Sequence, residues 1–250
     1  MAPRVTDIRP LATMPEFAAC EALQAAVWGF EERDLLPRRI FMVVHKIGGQ
    51  VQGAFDGDRL VGFTLAMPGL APAGPFWHSH MMAVDPAYRN QGLGRRLKLS
   101  QRDGALRRGL DLIEWTFDPL EIKNGYFNLE VLGVVVRSIH PNLYGLTTSA
   151  LQAGLPTDRL TAEWRLRSPR VEQLAAGLPV PAPPARRRVE VPAKIADWKA
   201  AGDRRALAAQ TRIREDLEAA FAASLVIVGY ERLPDGGGAF LLAYDPGERA

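Results

Sequence analysis

One stretch of the chain combines an arginine with two glycines at a spacing that suits anion binding. Apolar residues ending at Val84 predict a strand, and a short turn leads to Arg89-x-x-Gly92-x-Gly94, which opens a basic amphipathic helix. The first turn of a helix has unpaired N–H groups and a partial positive charge, and glycine lets a phosphate approach the backbone. Mobile positive charge around this turn is expected from Arg89, Arg95, Arg96 and Lys98. The motif therefore predicts a cradle for a diphosphate.

Two common nucleotide-binding motifs are excluded by the residues present. The dinucleotide fingerprint requires a third glycine at the position of Leu97. A Walker A loop requires Gly-Lys followed by Ser or Thr, which this stretch lacks. A nicotinamide cofactor and a nucleoside triphosphate are therefore disfavoured as the ligand.

The same stretch resembles the acyl-CoA-binding motif of the GNAT superfamily of N-acyltransferases. Six residues carry the resemblance: Val84, Pro86, Tyr88, Arg89, Gly92 and Gly94. The preceding strand, the following helix and the order of the surrounding elements extend the resemblance over about residues 5–167. An ordinary strand-turn-helix, with glycines that serve only the turn, is the alternative.

The resemblance implies a fold, a co-substrate and a set of binding residues. The implied fold is a mixed α/β (α+β) domain with a mostly antiparallel sheet, splayed at strands 4 and 5 and flanked by helices. The co-substrate is acetyl-CoA or another acyl-CoA such as succinyl-CoA, without a metal, and acyl transfer to an amine is direct within a ternary complex. The resemblance places pantetheine along the strand that ends at Val84. The implied cofactor-binding residues are Met82, Ala83, Val84, Arg89, Asn90, Gln91, Gly92, Leu93, Gly94 and Arg95.

An amine must lose a proton to attack a thioester, so a general base is expected near the predicted strand. Many relatives use a carboxylate there, but this strand has none. His78 and His80 are two residues apart on one predicted face, and histidine titrates near neutral pH. Glu114 on the neighbouring predicted strand is a second candidate. The alternatives are hydrogen-bonded histidines at a loop edge and a surface carboxylate.

The proton donor to the leaving thiolate is less evident. The family pattern places a tyrosine four residues before the glycine that ends the following helix, and this chain has Leu129 at that position, before Gly133. Tyr144 and Tyr126 are possible substitutes, although Tyr144 also suits simple packing in a turn. A route through solvent is a further option. Asn124 and Asn128 are four residues apart on the predicted helix and are expected to hydrogen-bond the cofactor from one face.

Segments 115–120 and 154–160, together with Glu163-Trp164, resemble a less studied GNAT subgroup. Some of its members use succinyl-CoA to modify amino acids, which implies an arginine that holds a carboxylate by a bidentate pair. Arg159 and Arg137 are the candidates. The alternative for Arg159 is a salt bridge with Asp158 or Glu163.

The pattern of apolar residues predicts a main domain over residues 1–168, a Pro/Arg-rich linker over 169–192 and a C-terminal extension over 193–250. Predicted strands of the main domain are 5–11, 51–55, 60–67, 77–84, 112–117, 134–139 and 160–166; predicted helices are 15–28, 37–47, 92–108 and 120–132. A Pro/Gly loop is expected at 68–75. The extension combines a helix at 203–223 with a hairpin of strands 225–230 and 239–244. It has too little apolar area to stand alone, so docking on the main domain or a second subunit is expected.

Composition limits the class of protein. The net charge of +3 is a weak argument for nucleic acid, and apolar runs are too short for a membrane span. The single cysteine, Cys20, fits a reducing cytoplasm and suggests a buried structural thiol. A small amine or amino acid is the expected acceptor, and a homodimer is allowed. The alternatives are a protein or peptide acetyltransferase and a catalytically weak GNAT fold that binds nucleic acid through Arg186, Arg187, Arg188 and the basic helix.

Overall fold

The structure is a computed structural model that describes residues 7–29, 31–145, 147, 152–181 and 184–245. The first predicted strand began at residue 5, and its first two residues lie outside this described part. The chain divides into two compact units, one ending at Glu114 and the other beginning at Trp115. The two units are described separately.

The described part of the first unit contains three α-helices and the strands that carry the predicted cradle. Its elements are β1 (Asp7–Pro10), α1 (Met14–Trp28), α2 (Arg38–Lys46), β2 (Gln50–Asp56), β3 (Arg59–Ala71), β4 (Gly74–Val84), α3 (Leu93–Leu106) and the start of β5 (Leu112–Phe117). The strand order is β1-β2-β3-β4-β5. Every pair is antiparallel except β4 with β5, which is parallel. The sheet is therefore mixed and mostly antiparallel, with its parallel pair at strands 4 and 5.

Helices cover both faces of this sheet. One apolar cluster joins α1 and α2 to the sheet, and it includes Phe17, Cys20, Phe41, Phe63 and Leu65. A second cluster places Leu93 and Leu97 of α3 against Ala54 and Val61. Because burial of such side chains is the main stabilising term in folding, α3 and its N-terminal turn are fixed on the sheet.

The loop predicted at residues 68–75 is wrong. Strands β3 and β4 instead extend into a long hairpin, in which Gly69 pairs with Phe76 and Ala71 with Gly74. The ring of Phe76 lies where a Cβ at position 69 would be, so only glycine fits beneath it. The glycine therefore serves a close contact within the hairpin rather than a loop.

The second unit contains the rest of β5 and all later elements. These are α4 (Ile122–Tyr126), β6 (Val135–His140), β7 (Arg159–Arg165), α5 (Pro169–Ala175), β8 (Arg187–Val191), α6 (Ile195–Ala200), α7 (Arg204–Ala222), β9 (Leu225–Arg232) and β10 (Gly238–Tyr244). A π-helical turn, Phe127–Leu132, follows α4 directly. The strand order is β5-β7-β6-β9-β10-β8. The hairpin predicted in the extension joins this sheet, because β9 pairs with β6 at Val136 and Ile227.

The segment predicted as a linker contains regular structure. Helix α5 and strand β8 both lie within residues 169–192, and β8 pairs with β10. The arginines at its end have partners: Arg187 lies 3.0 Å from Asp216, Arg188 pairs with Glu231, and Arg186 stacks over Tyr244. The division into domains 1–168, 169–192 and 193–250 stays a prediction.

The fold class expected from the sequence is confirmed. The sheet is mixed and mostly antiparallel, its strands 4 and 5 are parallel and splayed, and helices flank it. Among the described helices, none is long and apolar enough to cross a membrane.

Candidate active site

The turn between β4 and α3 is built from residues that fix its backbone. Asp85 caps a 3₁₀ turn, Pro86–Tyr88, by accepting from the amide of Ala87 at 2.9 Å. The Tyr88 hydroxyl donates to Asp56 at 2.6 Å, and Arg89 Nε donates to the carbonyl of Val84 at 3.1 Å. The entry to the predicted cradle is therefore tied to both β2 and β4.

Backbone amides of the cradle are available to a ligand. Asn90 and Gly92 both adopt left-handed conformations, with φ of 60° and 77°. Within the described part of the chain, the amides of residues 90–94 have no protein acceptor, and Asn90, Gln91 and Gly92 are exposed. Successive free N–H groups at a helix N-terminus form a concave anion site.

The cations around the cradle differ from the expectation at one position. Arg89 and Arg96 are exposed and Arg95 is half-buried. Lys98 does not surround the cradle: only 2% of it is exposed, and its ammonium nitrogen lies 3.0 Å from both Ser79 Oγ and Gln101 Oε1. Lys98 points to the sheet because it shares a face of α3 with Gln101 and Ala105, three and seven residues later, which are also buried. Burial lowers the pKa of Lys98 well below its ordinary value.

Strand β4 has a free edge beside the cradle. In the described residues, β4 pairs with β5 at only two positions, Trp77 with Ile113 and His78 with Glu114. Beyond His78, the strand continues through Met82, Ala83 and Val84 toward the cradle. An extended ligand with a diphosphate at the cradle can hydrogen-bond this edge as a strand would.

The three candidate bases lie close together where β4 pairs with β5, at the end of that free edge. Glu114 is directly beside His78 in the β4–β5 pairing, and the rings of His78 and His80 are 6.1 Å apart. His80 is the extra residue of a β-bulge, since Ser79 pairs with Ala66 and Met81 with Leu65. A bulge re-aims side chains and is common near functional sites. No residue type in the sequence signals this bulge.

Both imidazoles favour the neutral form. Burial lowers the pKa of His78, and the nearby His80 and Lys98 lower it further. His80 is exposed as a residue, but partial desolvation of its ring lowers its pKa too. A neutral imidazole is the form that accepts a proton from an amine.

The candidates for proton donor and cofactor contact in the second unit have different environments. The hydroxyls of Tyr144 and Thr116 are 2.8 Å apart, and Tyr144 is 52% exposed. Thr116 was missed because a lone threonine in a strand carries no signal. Tyr126 stacks under Arg232 at 3.7 Å, and Leu129 is fully buried. Asn124 is exposed but Asn128 is buried, because the π turn changes the helical spacing, so the two do not share one environment.

The two arginines considered for carboxylate binding also differ. Arg137 lies 2.6 Å from Glu163 and 2.9 Å from Asp245, and these carboxylates raise its pKa. Its charge is therefore already neutralised. Arg159 donates instead to the Asp158 carbonyl at 2.9 Å and to Gln152 Oε1 at 3.0 Å.

Cys20 has the environment of a structural thiol. It is fully buried, and burial together with nearby Glu16 raises its pKa to about 12. A thiol of this kind is a poor nucleophile, because the thiolate is the reactive form.

Known acetyltransferases resemble this chain in fold and, over part of its length, in sequence. Residues 13–121 match the model of the acetyltransferase (GNAT) family. The ribosomal-protein-S18-alanine N-acetyltransferase of Escherichia coli is 17% identical with a TM-score of 0.52, covering 65% of this chain and 94% of that one. YncA of Salmonella typhimurium, solved with its cofactor acetyl-CoA, is 17% identical with a TM-score of 0.53, and the match covers 66% of this chain and 96% of that one. Aminoglycoside 6'-acetyltransferase type Ii is 20% identical with a TM-score of 0.52, and the match covers 65% of this chain and 99% of that one. No curated protein sequence matches the chain.

The architecture is thus the mixed α/β fold that these solved structures share. The protein has the GNAT fold, and the resemblance to the GNAT superfamily is confirmed over the matched segment.

Proposed function

We propose that the protein is an N-acyltransferase that moves an acyl group from acyl-CoA to the amine of a small acceptor. The observation that carries this proposal is the set of backbone amides at residues 90–94, which have no protein acceptor in the described chain and of which the first three belong to exposed residues. They lie at the N-terminus of a 14-residue helix and next to an arginine on each side, Arg89 and Arg95. This arrangement suits a diphosphate.

The proposed cofactor site extends from the cradle along β4. Gly92 and Gly94 let the diphosphate approach, while Asn90, Gln91, Leu93 and Arg95 complete the turn around it. The main chain of Met82, Ala83 and Val84 then pairs with the amide groups of pantetheine. The parallel pairing with β5 that stops at His78 leaves this edge free for such a ligand. Asn124 and Asn128 are two further residues proposed to contact the cofactor.

His78 is the proposed general base, with His80 and Glu114 as its neighbours. It takes the proton as the amine nitrogen forms a bond to the thioester carbonyl carbon, and the carbon–sulfur bond then breaks. The thiolate leaves with a proton from Tyr144 or from solvent, because Leu129 offers none. No covalent enzyme intermediate is involved, which agrees with the burial of Cys20.

A role in nucleic-acid binding receives little support from the basic cluster at residues 186–188. Two of its arginines are paired with Asp216 and Glu231, and the third stacks on Tyr244. The two arginines that already pair with carboxylates of the protein release few counterions on binding a phosphate chain. The acceptor class stays a proposal, since the similar structures act on a ribosomal protein in one case and on aminoglycosides in another.

The experiment that tests the proposal has two parts. Free CoA, acetyl-CoA and succinyl-CoA are expected to raise the melting temperature, because they bind the folded state alone. Thiol release is then followed with each acyl donor against a panel of amines, amino acids and short peptides. If the melting temperature does not change with free CoA, acetyl-CoA or succinyl-CoA, the proposal is wrong. If thiol is released only with peptides, the acceptor is a protein or peptide rather than a small molecule.

A further inference from the structure

Helix α3 is attached to the sheet of the first unit partly by a layer of buried polar side chains. Gln52 of β2 donates to the carbonyl of Ser100 at 3.2 Å and to its hydroxyl at 3.0 Å. The ammonium of Lys98 joins Gln101, on the same face of α3, to Ser79 of β4. Gln52, Ser79, Lys98 and Gln101 are each at most 6% exposed. The contact between α3 and β4 is therefore made by a buried lysine.

A lysine in this layer is unfavourable for the stability of the fold. A buried ammonium loses its hydration, and both acceptors described above, Ser79 Oγ and Gln101 Oε1, are neutral. Methionine, an apolar side chain of similar length, would fill the same space without this desolvation. Buried titratable groups that depart from the rules of stable packing are concentrated at functional sites. Lys98 is therefore a candidate for a role in the site rather than in the fold.

Ser79 connects this lysine to the proposed base. It lies between His78 and His80, the extra residue of the β4 bulge, and the register of β4 against β3 shifts directly after Ser79. Successive side chains of a strand point to opposite faces, so His78 points away from the α3 side, where Ser79 contacts Lys98. Lys98 can therefore orient His78 only through Ser79 and the main chain of β4.

The charge of Lys98 is a second link to His78. Burial lowers the pKa of His78, and both His80 and Lys98 lower it further. The residues paired with His78 in the sheet are Met67 on β3 and Glu114 on β5. A positive charge near the strand disfavours a second one on the imidazole, which keeps His78 in the form that accepts a proton.

From these contacts we infer that Lys98 is a positioning residue for the proposed acyl transfer, which holds the β4 bulge through Ser79 and brings a positive charge close to His78. The inference rests on the proposed function, because it takes His78 as the base, and it extends that site to the buried face of α3. Loss of the Lys98–Ser79 bond would let the bulge move. Misplacement of a catalytic group by about 1 Å lowers a rate by up to about 100-fold.

Two hydroxyl groups on the same face of the sheet allow a matched test of the hydrogen bond. Ser79→Ala removes the hydroxyl that accepts from Lys98. Thr64 pairs with Gln52 on β2, and its buried hydroxyl has no hydrogen-bond partner among the described residues, so Thr64→Val is the control. Ser79→Ala is expected to lower kcat about tenfold and to leave the affinity for free CoA unchanged. Ser79→Thr restores a hydroxyl and should recover most of the loss, whereas Thr64→Val should behave as wild type.

Lys98→Met tests the charge by a measurement that needs no activity. NMR titration of the four histidine rings, assigned with His78→Gln, gives the pKa of His78 directly. Lys98→Met is expected to raise this pKa and to move the acid limb of kcat/KM to higher pH, because the nearby positive charge is removed. Ser79→Ala keeps the lysine and should change the pKa of His78 less. Lys46→Met, at the exposed end of α2, should leave it unchanged.

The outcomes separate this inference from the proposed function. If the wild type transfers acyl groups but Ser79→Ala keeps the wild-type kcat, or loses no more than Thr64→Val, the inference is overturned and the function stands. An unchanged pKa of His78 in Lys98→Met also overturns it, because the ammonium then does not act on the imidazole. A wild type that transfers no acyl group with any donor and acceptor contradicts the proposed function itself, while the NMR titration still decides whether Lys98 acts on His78.

Discussion

The ammonium of Lys199 on α6 lies 3.2 Å from the carboxylate of Asp118, the residue that follows β5. Glu121 also lies 2.8 Å from this ammonium, and the Lys199 side chain is only 5% exposed. Burial opposes the charge, but the two carboxylates more than compensate and raise the pKa of Lys199. The extension is thereby joined to the segment that leads into α4.

Replacement of Lys199 by methionine is expected to lower the free energy of unfolding by about 3–5 kcal/mol, because two carboxylates lose a buried partner. Lys194, exposed at the start of the same helix, is the control. Lys194→Met should change stability by no more than about 0.5 kcal/mol. Urea denaturation measures both, and equal stability of the two variants would show that the buried pair contributes nothing.

The cradle is tested by two glycines at opposite ends of α3. Gly92 and Gly109 have φ of 77° and 74°, and a Cβ at either position meets no atom within 4 Å. Alanine should therefore destabilise the fold to a similar extent at both positions, by about 1–2 kcal/mol. Only Gly92→Ala places a methyl group on the surface proposed to hold the diphosphate, so it is expected to weaken CoA binding at least about tenfold.

Titration calorimetry with free CoA measures this difference, and the melting temperatures of both variants report the shared strain. Equal CoA affinity in Gly92→Ala and Gly109→Ala would place the diphosphate elsewhere.

Much of this cradle could be predicted from the sequence, since its strand, turn and helix are local. The glycines, Pro86 and Tyr88 specify the turn within a few residues, and β5 was predicted with its observed bounds. Features that depend on tertiary packing could not be predicted. The bulge at His80 arises from pairing with β3, and the inward direction of Lys98 depends on how α3 lies on the sheet.

The site in the second unit was less predictable for the same reason. Arg159 has a choice of acids in the sequence, and only the position of α7 shows that Arg214 takes Asp158. Likewise, the π turn that separates the environments of Asn124 and Asn128 has no simple residue signature.

A pH–rate profile tests His78 as the proposed base. Its pKa is lowered from the ordinary value of 6.5, so the base is neutral at neutral pH and kcat/KM should fall only at lower pH, as His78 gains a proton. His78→Gln is expected to reduce kcat/KM about 100-fold and to remove this acid limb. His45, exposed on α2, provides the control variant His45→Gln, which should keep the wild-type profile. An acid limb that persists unchanged in His78→Gln would assign the titration to another group.

Lys98 makes the stability of the fold depend on pH. Its pKa is lowered by burial, so between the folded pKa and the ordinary value of about 10.4 the unfolded state carries a proton that the folded state lacks. The unfolded state binds more protons in this window, so the free energy of unfolding rises with pH and falls as pH decreases. In Lys98→Met this pH dependence of the unfolding free energy is absent, because methionine does not titrate.

As the pH rises across this window, the unfolding free energy of the wild type is therefore expected to increase relative to that of Lys98→Met, by up to about 1.4 kcal/mol for each pH unit. Urea denaturation from about pH 7 to about pH 9 measures it. The control is Lys46→Met, at the exposed end of α2, whose difference from wild type should stay constant over the same range. A constant difference for Lys98→Met as well would mean that Lys98 remains protonated beside Ser79 and Gln101 in the folded protein.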